Sequence, residues 1–263
     1  MDMPEPHRRF LDDALERIRQ DPRVVGVAVS GSIAHGRPDE YSDIDLVLGI
    51  EDDDFAEVME RRLELIAAWT PLVVGFTGEH VGEPRLIISL VDPPLLHVDL
   101  KFVRLSDVGV RVDDPTVLWE RDGRLSTALA AVPADRPTLD LQWIEDRFWV
   151  WVHYGATKLA RGELYEAIGF LGDLRGLVLG PLACHLAGVP PRGVRHLEAI
   201  APAAARELEA TVSDYDVQHA ASATLACVDL YRRWRDATGI AITRREEAER
   251  LSVDYLQDVV RRL

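Results

Sequence analysis

A glycine–serine pair and two aspartates stand at a spacing that suits phosphate chemistry. Gly31 and Ser32 precede Asp43 and Asp45 by a short segment. Glycine lets a backbone approach a phosphate closely, and two carboxylates that share one face repel each other unless a divalent cation neutralises them. Mg²⁺ prefers carboxylate oxygens together with waters and substrate phosphates. The spacing therefore predicts a metal-dependent site for nucleotidyl transfer.

Two apolar segments must position these residues. Residues 24–29 form a β-branched run that predicts a buried strand ending at the glycine–serine turn, and residues 43–48 predict a second strand. Because side chains alternate between the faces of a strand, Asp43 and Asp45 point the same way, while Ile44 points into the core.

A family resemblance rests on these residues. The segment 31–37, GSIAHGR, leading to SDIDL at 42–46, resembles the signature of the polymerase-beta-like nucleotidyltransferases, and in particular the bacterial branch with the aminoglycoside, lincosamide and minimal nucleotidyltransferases. That resemblance implies a third acidic residue on a later strand, for which Asp99 is the candidate. It further implies that Asp43, Asp45 and Asp99 are catalytic and hold two Mg²⁺ ions about 3.5–4 Å apart, while Gly31 and Ser32 bind the phosphates of ATP or another nucleoside triphosphate.

The sequence leaves two candidates for the general base, Asp99 and a carboxylate of a helical domain. Some members of the resembled family use a helical glutamate four residues before a lysine that reaches the triphosphate. Lys158 resembles that lysine, but Tyr154 stands where the glutamate would be, which favours Asp99 as the base. Lys101 shares a strand face with Asp99 and is the second candidate for a phosphate contact, because a compact ammonium suits a β- or γ-phosphate.

The charge and composition of the chain indicate which classes of partner and which location to expect. The formal net charge of −15 argues against a long nucleic acid, which normally binds a basic surface, and it would concentrate a cationic acceptor instead. We expect no signal peptide and no membrane span, because the longest apolar stretch is interrupted by Gly180, Pro181 and His185. Cys184 and Cys227 predict neither a disulfide framework nor a zinc site, and the expected location is the cytoplasm.

The order of elements predicts an α+β protein. Residues 1–121 are expected to form a nucleotidyltransferase catalytic domain with a small mixed β-sheet, residues 122–137 a linker, and residues 138–263 an α-helical bundle that binds the acceptor. The acidic run at 51–54 predicts a solvated turn that caps a helix over 55–69. The tryptophans Trp143, Trp149 and Trp151 are interpreted as core residues.

The predicted function is Mg²⁺-dependent transfer of a nucleoside monophosphate, expected to be AMP from ATP, to a hydroxyl of a small cationic acceptor such as an aminoglycoside, which would confer antibiotic resistance. Glu166 and Asp173 are candidate acceptor contacts in a cleft between the sheet and the bundle. One alternative is a minimal-nucleotidyltransferase antitoxin or partner-binding protein that adenylylates or engages another protein. A ribonuclease motif formed by Arg147 and His153 is a weaker alternative. The sequence predicts neither the acceptor, the preferred nucleotide nor the oligomeric state.

Overall fold

The chain folds into two units, in a computed structural model that describes residues 3–263. The first unit ends at Arg136 and the second runs from Pro137 to Leu263. The first contains a mixed β-sheet and the second contains only helices and their connections among its regular elements. The predicted α+β class is confirmed, whereas the roles assigned to the predicted domains remain predictions.

Six strands form the sheet of the first unit. Their order across the sheet is β3-β4-β5-β2-β1-β6. Neighbouring strands are antiparallel except for β2 and β5, which run parallel. The strands are β1 (Val24–Val29), β2 (Ile44–Ile50), β3 (Leu72–Gly78), β4 (Glu83–Val91), β5 (Leu96–Arg104) and β6 (Thr116–Glu120).

Two helices cover one face of this sheet. The amphipathic helices α1 (Glu5–Ile18) and α3 (Phe55–Trp69) pack their apolar residues against inward-facing side chains of β2 and β5. Leu46 and Leu100 belong to this core and are almost fully buried. Because side chains alternate along a strand, their neighbours Asp45 and Asp99 lie on the opposite face, and the core thereby fixes where the carboxylates stand.

The segment before the second unit differs from the expected linker. Strand β6 pairs with β1, and helix α4 (Arg124–Ala131) follows it. Gly123 adopts a left-handed conformation with φ of 70° immediately before α4, and Leu125 and Leu129 pack against Ala28 and Val103. The turn residues around this helix are visible in the sequence, but the leucines that anchor it to the sheet stand in a stretch too short for a clear helical period.

The acidic run at 51–54 forms the predicted turn before α3, but it caps the helix by position only. Asp54 occupies the N-cap position without a side-chain hydrogen bond. The side chain of Asp52 instead accepts a hydrogen bond of 3.1 Å from the backbone N–H of Ser106, and Glu51 forms an ion pair with Arg124. The run therefore ties its loop to residues that are distant in sequence, which local capping rules do not anticipate.

Helices α2 (Gly31–Ala34) and α5 to α11 complete the fold. The second unit contains α5 (Leu141–Ala160), α6 (Leu164–Leu174), a π-helical turn (Arg175–Leu179), α7 (Gly180–Leu186), α8 (Leu197–Ile200), α9 (Pro202–Leu208), α10 (Val217–Ala237) and α11 (Glu246–Val260). Short 3₁₀ turns lie at Glu79–Val81, Leu105–Asp107 and Glu209–Thr211. These helices agree with the helical bundle expected over residues 138–263, although α8 is only a single turn.

A buried carboxylate joins three helices of the second unit. Glu145 of α5 is fully buried and accepts hydrogen bonds from the Trp149 indole at 3.1 Å, the Tyr231 hydroxyl at 2.5 Å and the backbone N–H of Arg245 at 2.9 Å. The Arg235 guanidinium lies 3.2 Å from its Oε2 atom. Burial raises the pKa of Glu145, but these hydrogen bonds outweigh burial and lower the pKa below its ordinary value.

Within residues 3–263, one helical stretch is long and apolar enough to cross a membrane by length and composition alone. It spans Leu164–Leu186, has a mean hydropathy of 1.4 in its best window, and 50% of that window is buried inside the protein. Core helices of globular proteins pass the same test. Cys184 and Cys227 are free and buried.

Candidate active site

Two of the predicted catalytic aspartates lie side by side on parallel strands. The register of β2 and β5 pairs Asp45 with Asp99, and residues paired in this way point to the same face, about 4.8 Å apart along the sheet. Both are partly buried, between fully buried neighbours on their own strands. The alternation in the two segments thus brings together carboxylates that are 54 positions apart in the sequence.

Asp43 stands immediately before β2 and acts electrostatically on Asp99. Burial is the largest cause that raises the pKa of Asp99, and the negative charge of Asp43 raises it further. His97 opposes both effects, because its Nε2 atom lies 2.9 Å from Asp99 Oδ1. His97 stands two positions before Asp99 on β5, so the alternation of side chains puts both on one strand face and is the sequence signal for this contact.

The turn after β1 touches the carboxylate of Asp45. Gly31 has a φ of +63°, and a Cβ atom at this position would lie 2.1 Å from Asp45 Oδ2. The backbone N–H of Ser30 donates a hydrogen bond of 2.9 Å to the backbone oxygen of Asp45. Only glycine fits at position 31 without moving the aspartate, so the predicted phosphate turn and the predicted metal ligand form one local structure.

The residues present fit a triphosphate with a hard cation. The Ser32 hydroxyl is buried and has no hydrogen-bond partner within the described protein, which leaves a donor for a phosphate oxygen beside Gly31. Asp43, Asp45 and Asp99 offer oxygen atoms, the donors that Mg²⁺ prefers. Within residues 3–263, no three His, Cys, Asp or Glu side chains already stand in a metal-ligating cluster, and coordination of two ions remains a prediction.

Both lysines are held by glutamates. Lys101 lies on the same strand face as Asp99, and its ammonium is 2.8 Å from Glu83 Oε2. Arg85 and Lys101 together lower the pKa of Glu83 to about 2, with the hydrogen bond from Arg85 as the largest cause. Sequence reasoning did not anticipate Glu83, which comes from the next strand. The phosphate contact of Lys101 remains a prediction.

Lys158 belongs to the second unit. Its ammonium lies 2.7 Å from Glu163 Oε2 and 4.9 Å from the centre of the Tyr154 ring. The Tyr154 hydroxyl donates a hydrogen bond to Glu166. A triphosphate contact of Lys158 would replace the Glu163 pair, and it too remains a prediction.

An open groove on helices α5 and α6 contains the two predicted acceptor contacts. Glu166 and Asp173 lie in it with four aromatic residues, and the groove has a volume of about 460 Å³. Its aromatic lining consists of Trp151, Tyr154, Tyr165 and Phe170. The carboxylates and the aromatic faces together form a surface suited to an organic cation.

The interpretation of the tryptophans as core residues holds fully for Trp149, in part for Trp151, which is partly buried and packs against the helical core, and not for Trp143. Trp149 is buried in the helical core, whereas Trp143 is exposed, lies against Trp151 and is covered by the guanidinium of Arg147. His153, a residue of the alternative ribonuclease motif, packs on the ring of Tyr255 in α11.

A comparison with protein-family models finds a match within the first unit. Residues 11–94 match the family model described as a nucleotidyltransferase domain. This match includes Gly31, Ser32, Asp43 and Asp45 and ends before Asp99. No curated protein sequence matches the chain.

Two solved structures are similar over nearly the whole chain. One is an aminoglycoside 6-adenyltransferase from Bacillus subtilis, with 17% identity, a TM-score of 0.42, and coverage of 97% of each chain. The other is a nucleotidyltransferase-like protein from Exiguobacterium sibiricum 255-15, with 14% identity, a TM-score of 0.40, and coverage of 98% of this chain and 80% of that chain. By its family match, this chain carries a nucleotidyltransferase domain, and the predicted enzyme class, a nucleotidyltransferase, is confirmed.

Proposed function

We propose that this protein transfers a nucleoside monophosphate, AMP from ATP, to a hydroxyl group of a small cationic acceptor. The observation that carries the proposal is the contact between the Gly31 turn and the Asp45 carboxylate, next to Asp99 on the parallel strand. A phosphate-binding turn and oxygen ligands for a cation thereby meet within a few ångströms. Nucleotidyl transfer needs both at the α-phosphate.

In the proposed reaction the acceptor oxygen forms a bond to the α-phosphorus, the bond from that phosphorus to the β-phosphate oxygen breaks, and pyrophosphate leaves. Gly31 and Ser32 would hold the phosphates through backbone N–H groups and the buried hydroxyl. Asp43, Asp45 and Asp99 would hold two Mg²⁺ ions. These ions would neutralise the charge of the triphosphate and lower the pKa of the acceptor hydroxyl.

Asp99 would take the proton from the acceptor hydroxyl. Its pKa is raised by burial, and a more basic carboxylate is a better proton acceptor. His97, 2.9 Å from Asp99 Oδ1, would hold that carboxylate in one orientation. To reach a phosphate, Lys101 would have to break its ion pair with Glu83 or contact both groups at once.

A cationic acceptor is supported by charge and by the groove of the helical unit. The formal net charge is −15, and Glu166 and Asp173 lie beside aromatic rings in the groove on α5 and α6. Amines of an aminoglycoside would pair with these carboxylates, and its rings would pack on the aromatic faces. Resistance to such an antibiotic, conferred in the cytoplasm, is the biological role that we propose.

The test is mass spectrometry of small molecules after incubation of the full chain with Mg²⁺, the four nucleoside triphosphates and a panel of aminoglycosides and lincosamides. A gain of one nucleoside monophosphate on one compound names the donor and the acceptor together. Glu166→Gln should raise the acceptor KM, whereas Glu198→Gln, at an exposed position outside the groove, should not. A modified protein in place of a modified antibiotic would favour the alternative in which the acceptor is another protein.

A further inference from the structure

Part of the sheet face that carries Asp99 is open and apolar. Val74 is 52% exposed, Phe76 is 51% exposed and Leu90 is 40% exposed. The register pairs Asp99 with Ile88, and Ile88 with Phe76, so one line across the sheet leads from the carboxylate to the aromatic ring. This apolar strip consists of Val74, Phe76, Ile88 and Leu90.

The strip lies on the face opposite to the helices α1 and α3. A Cβ atom at Gly75 would lie 3.2 Å from Leu63 of α3, so position 75 faces the helices. Its neighbours Val74 and Phe76 point the other way, because side chains alternate along a strand. Helix α4 covers this second face near Val103, at the opposite end of β5 from the strip.

The Gly31 turn and the apolar strip lie on opposite sides of the carboxylates. The turn follows β1 and contacts Asp45 on β2, whereas the strip belongs to β3 and β4, beyond Asp99 on β5. At about 4.8 Å per strand, Phe76 is about 10 Å from Asp99 across the sheet. This distance is within the length of a drug-sized molecule.

In-line transfer would place the triphosphate and the acceptor on opposite sides of the carboxylates. The attacking and leaving oxygens stand roughly opposite each other at the phosphorus. If the triphosphate lies on the Gly31 side of the carboxylates, the attacking hydroxyl approaches from the side of β5 and β4. The body of the acceptor then extends over Ile88 and Phe76.

We propose that the apolar strip binds a hydrophobic part of the acceptor, and that the acceptor is therefore amphipathic, with a hydroxyl-bearing sugar or polyol joined to an alkyl or aromatic group. This inference rests on the proposed function and narrows its acceptor class, because a cationic acceptor that fills the strip also carries an apolar group, which an unsubstituted aminoglycoside lacks. A uniformly polar acceptor would leave the exposed valine, leucine and phenylalanine in water. An alkyl or aromatic group would bury them, and burial of apolar surface favours binding.

The experiment measures binding, so that it does not depend on turnover. Octyl β-glucoside, below its micelle concentration, is titrated into the full chain by calorimetry, with methyl β-glucoside as the probe that lacks the alkyl chain. We expect octyl β-glucoside to bind and methyl β-glucoside not to bind. Phe76→Ala and Val74→Ser should each weaken octyl β-glucoside binding about five- to tenfold.

The matched control is Val73→Ser. Val73 is 60% exposed and adjoins Val74, but it stands at the irregularity between Leu72 and Val74 and has no partner in the register with β4. Its substitution should leave the affinity unchanged. Equal affinities in the Phe76, Val74 and Val73 variants and the unaltered protein, or no binding at all, would overturn the proposal.

Two further outcomes assign the strip to another occupant and also overturn the proposal. Displacement of octyl β-glucoside by Mg²⁺ and ATP would make the strip a nucleotide site. A dimer in sedimentation velocity that dissociates on Phe76→Ala would make it a contact between two copies of this chain. Asp99→Asn separates the two hypotheses, because it should abolish nucleotidyl transfer and leave octyl β-glucoside binding intact.

Discussion

Gly31→Ala should disable the site while leaving the fold intact. The added Cβ would lie 2.1 Å from Asp45 Oδ2, nearly 1 Å inside the 3.0 Å that real Cβ atoms essentially never pass. The left-handed φ of +63° adds about 1–2 kcal/mol of backbone strain for alanine. Because the oxygen of Asp45 ends a short side chain, the carboxylate would move rather than the sheet.

A displacement of about 1 Å in a group that positions substrate costs on the order of 100-fold in rate. We therefore expect Gly31→Ala to lower the rate of pyrophosphate release about 100-fold or more, and to lower the free energy of unfolding by only about 1–2 kcal/mol in urea denaturation.

Gly36→Ala is the matched control. Gly36 also has a left-handed φ, +67°, but nothing lies within 4 Å of its Cβ position. It should cost a similar 1–2 kcal/mol of stability and leave the rate of pyrophosphate release nearly unchanged. If both variants retain full activity, or lose it equally, the contact between Gly31 and Asp45 does not position the catalytic carboxylate.

Further predictions concern the helical unit. Glu145→Gln should lower the free energy of unfolding by about 3 kcal/mol, because it removes one partner of a buried ion pair, whereas the exposed Glu246→Gln should change it by under about 0.5 kcal/mol; equal urea midpoints would contradict the buried network. Since the pKa of Glu145 is lowered on folding, its stabilising effect is present above the ordinary value of 4.5 and is lost as the pH falls through the folded-state pKa. The stability difference between the unaltered protein and Glu145→Gln should accordingly shrink in acid, and a constant difference from pH 7 to pH 3 would refute this sign. Gly180→Ala should destabilise by at least about 2 kcal/mol, because its Cβ would lie 2.3 Å from the Gly193 backbone oxygen, while Gly176→Ala, with nothing within 4 Å, should be neutral or stabilising in thermal denaturation.

Periodicity and residue type predict much of this fold. The run of β-branched residues marks β1 at its exact bounds, Val24–Val29, and the apolar spacing marks α3 at Phe55–Trp69. Alternation alone places Asp45 and Asp99 on the solvent-facing sides of their strands. In these segments one local pattern decides the structure, and long-range packing agrees with it.

Other features depend on contacts that no local pattern encodes. Strand β6 is only five residues long and has half-buried side chains throughout, so it shows no alternation, and its pairing with β1 defines it. The pairing of β2 with β5 brings Asp45 beside Asp99, a register that the sequence supports only through the family resemblance. Glu83 reaches Lys101 from a neighbouring strand, and charge alone does not identify such partners.

We propose that the carboxylates beside the Gly31 turn support transfer of a nucleoside monophosphate. The most direct measurement follows the label from ATP carrying ³²P at the α- or the γ-phosphate, with Mg²⁺ and the antibiotic panel, for the unaltered protein and for Asp43→Ala. We expect the α-label to enter an antibiotic, the γ-label to leave as pyrophosphate, and Asp43→Ala to abolish both while the protein stays folded. Transfer of the γ-label to the product, or unchanged turnover in Asp43→Ala, would contradict it.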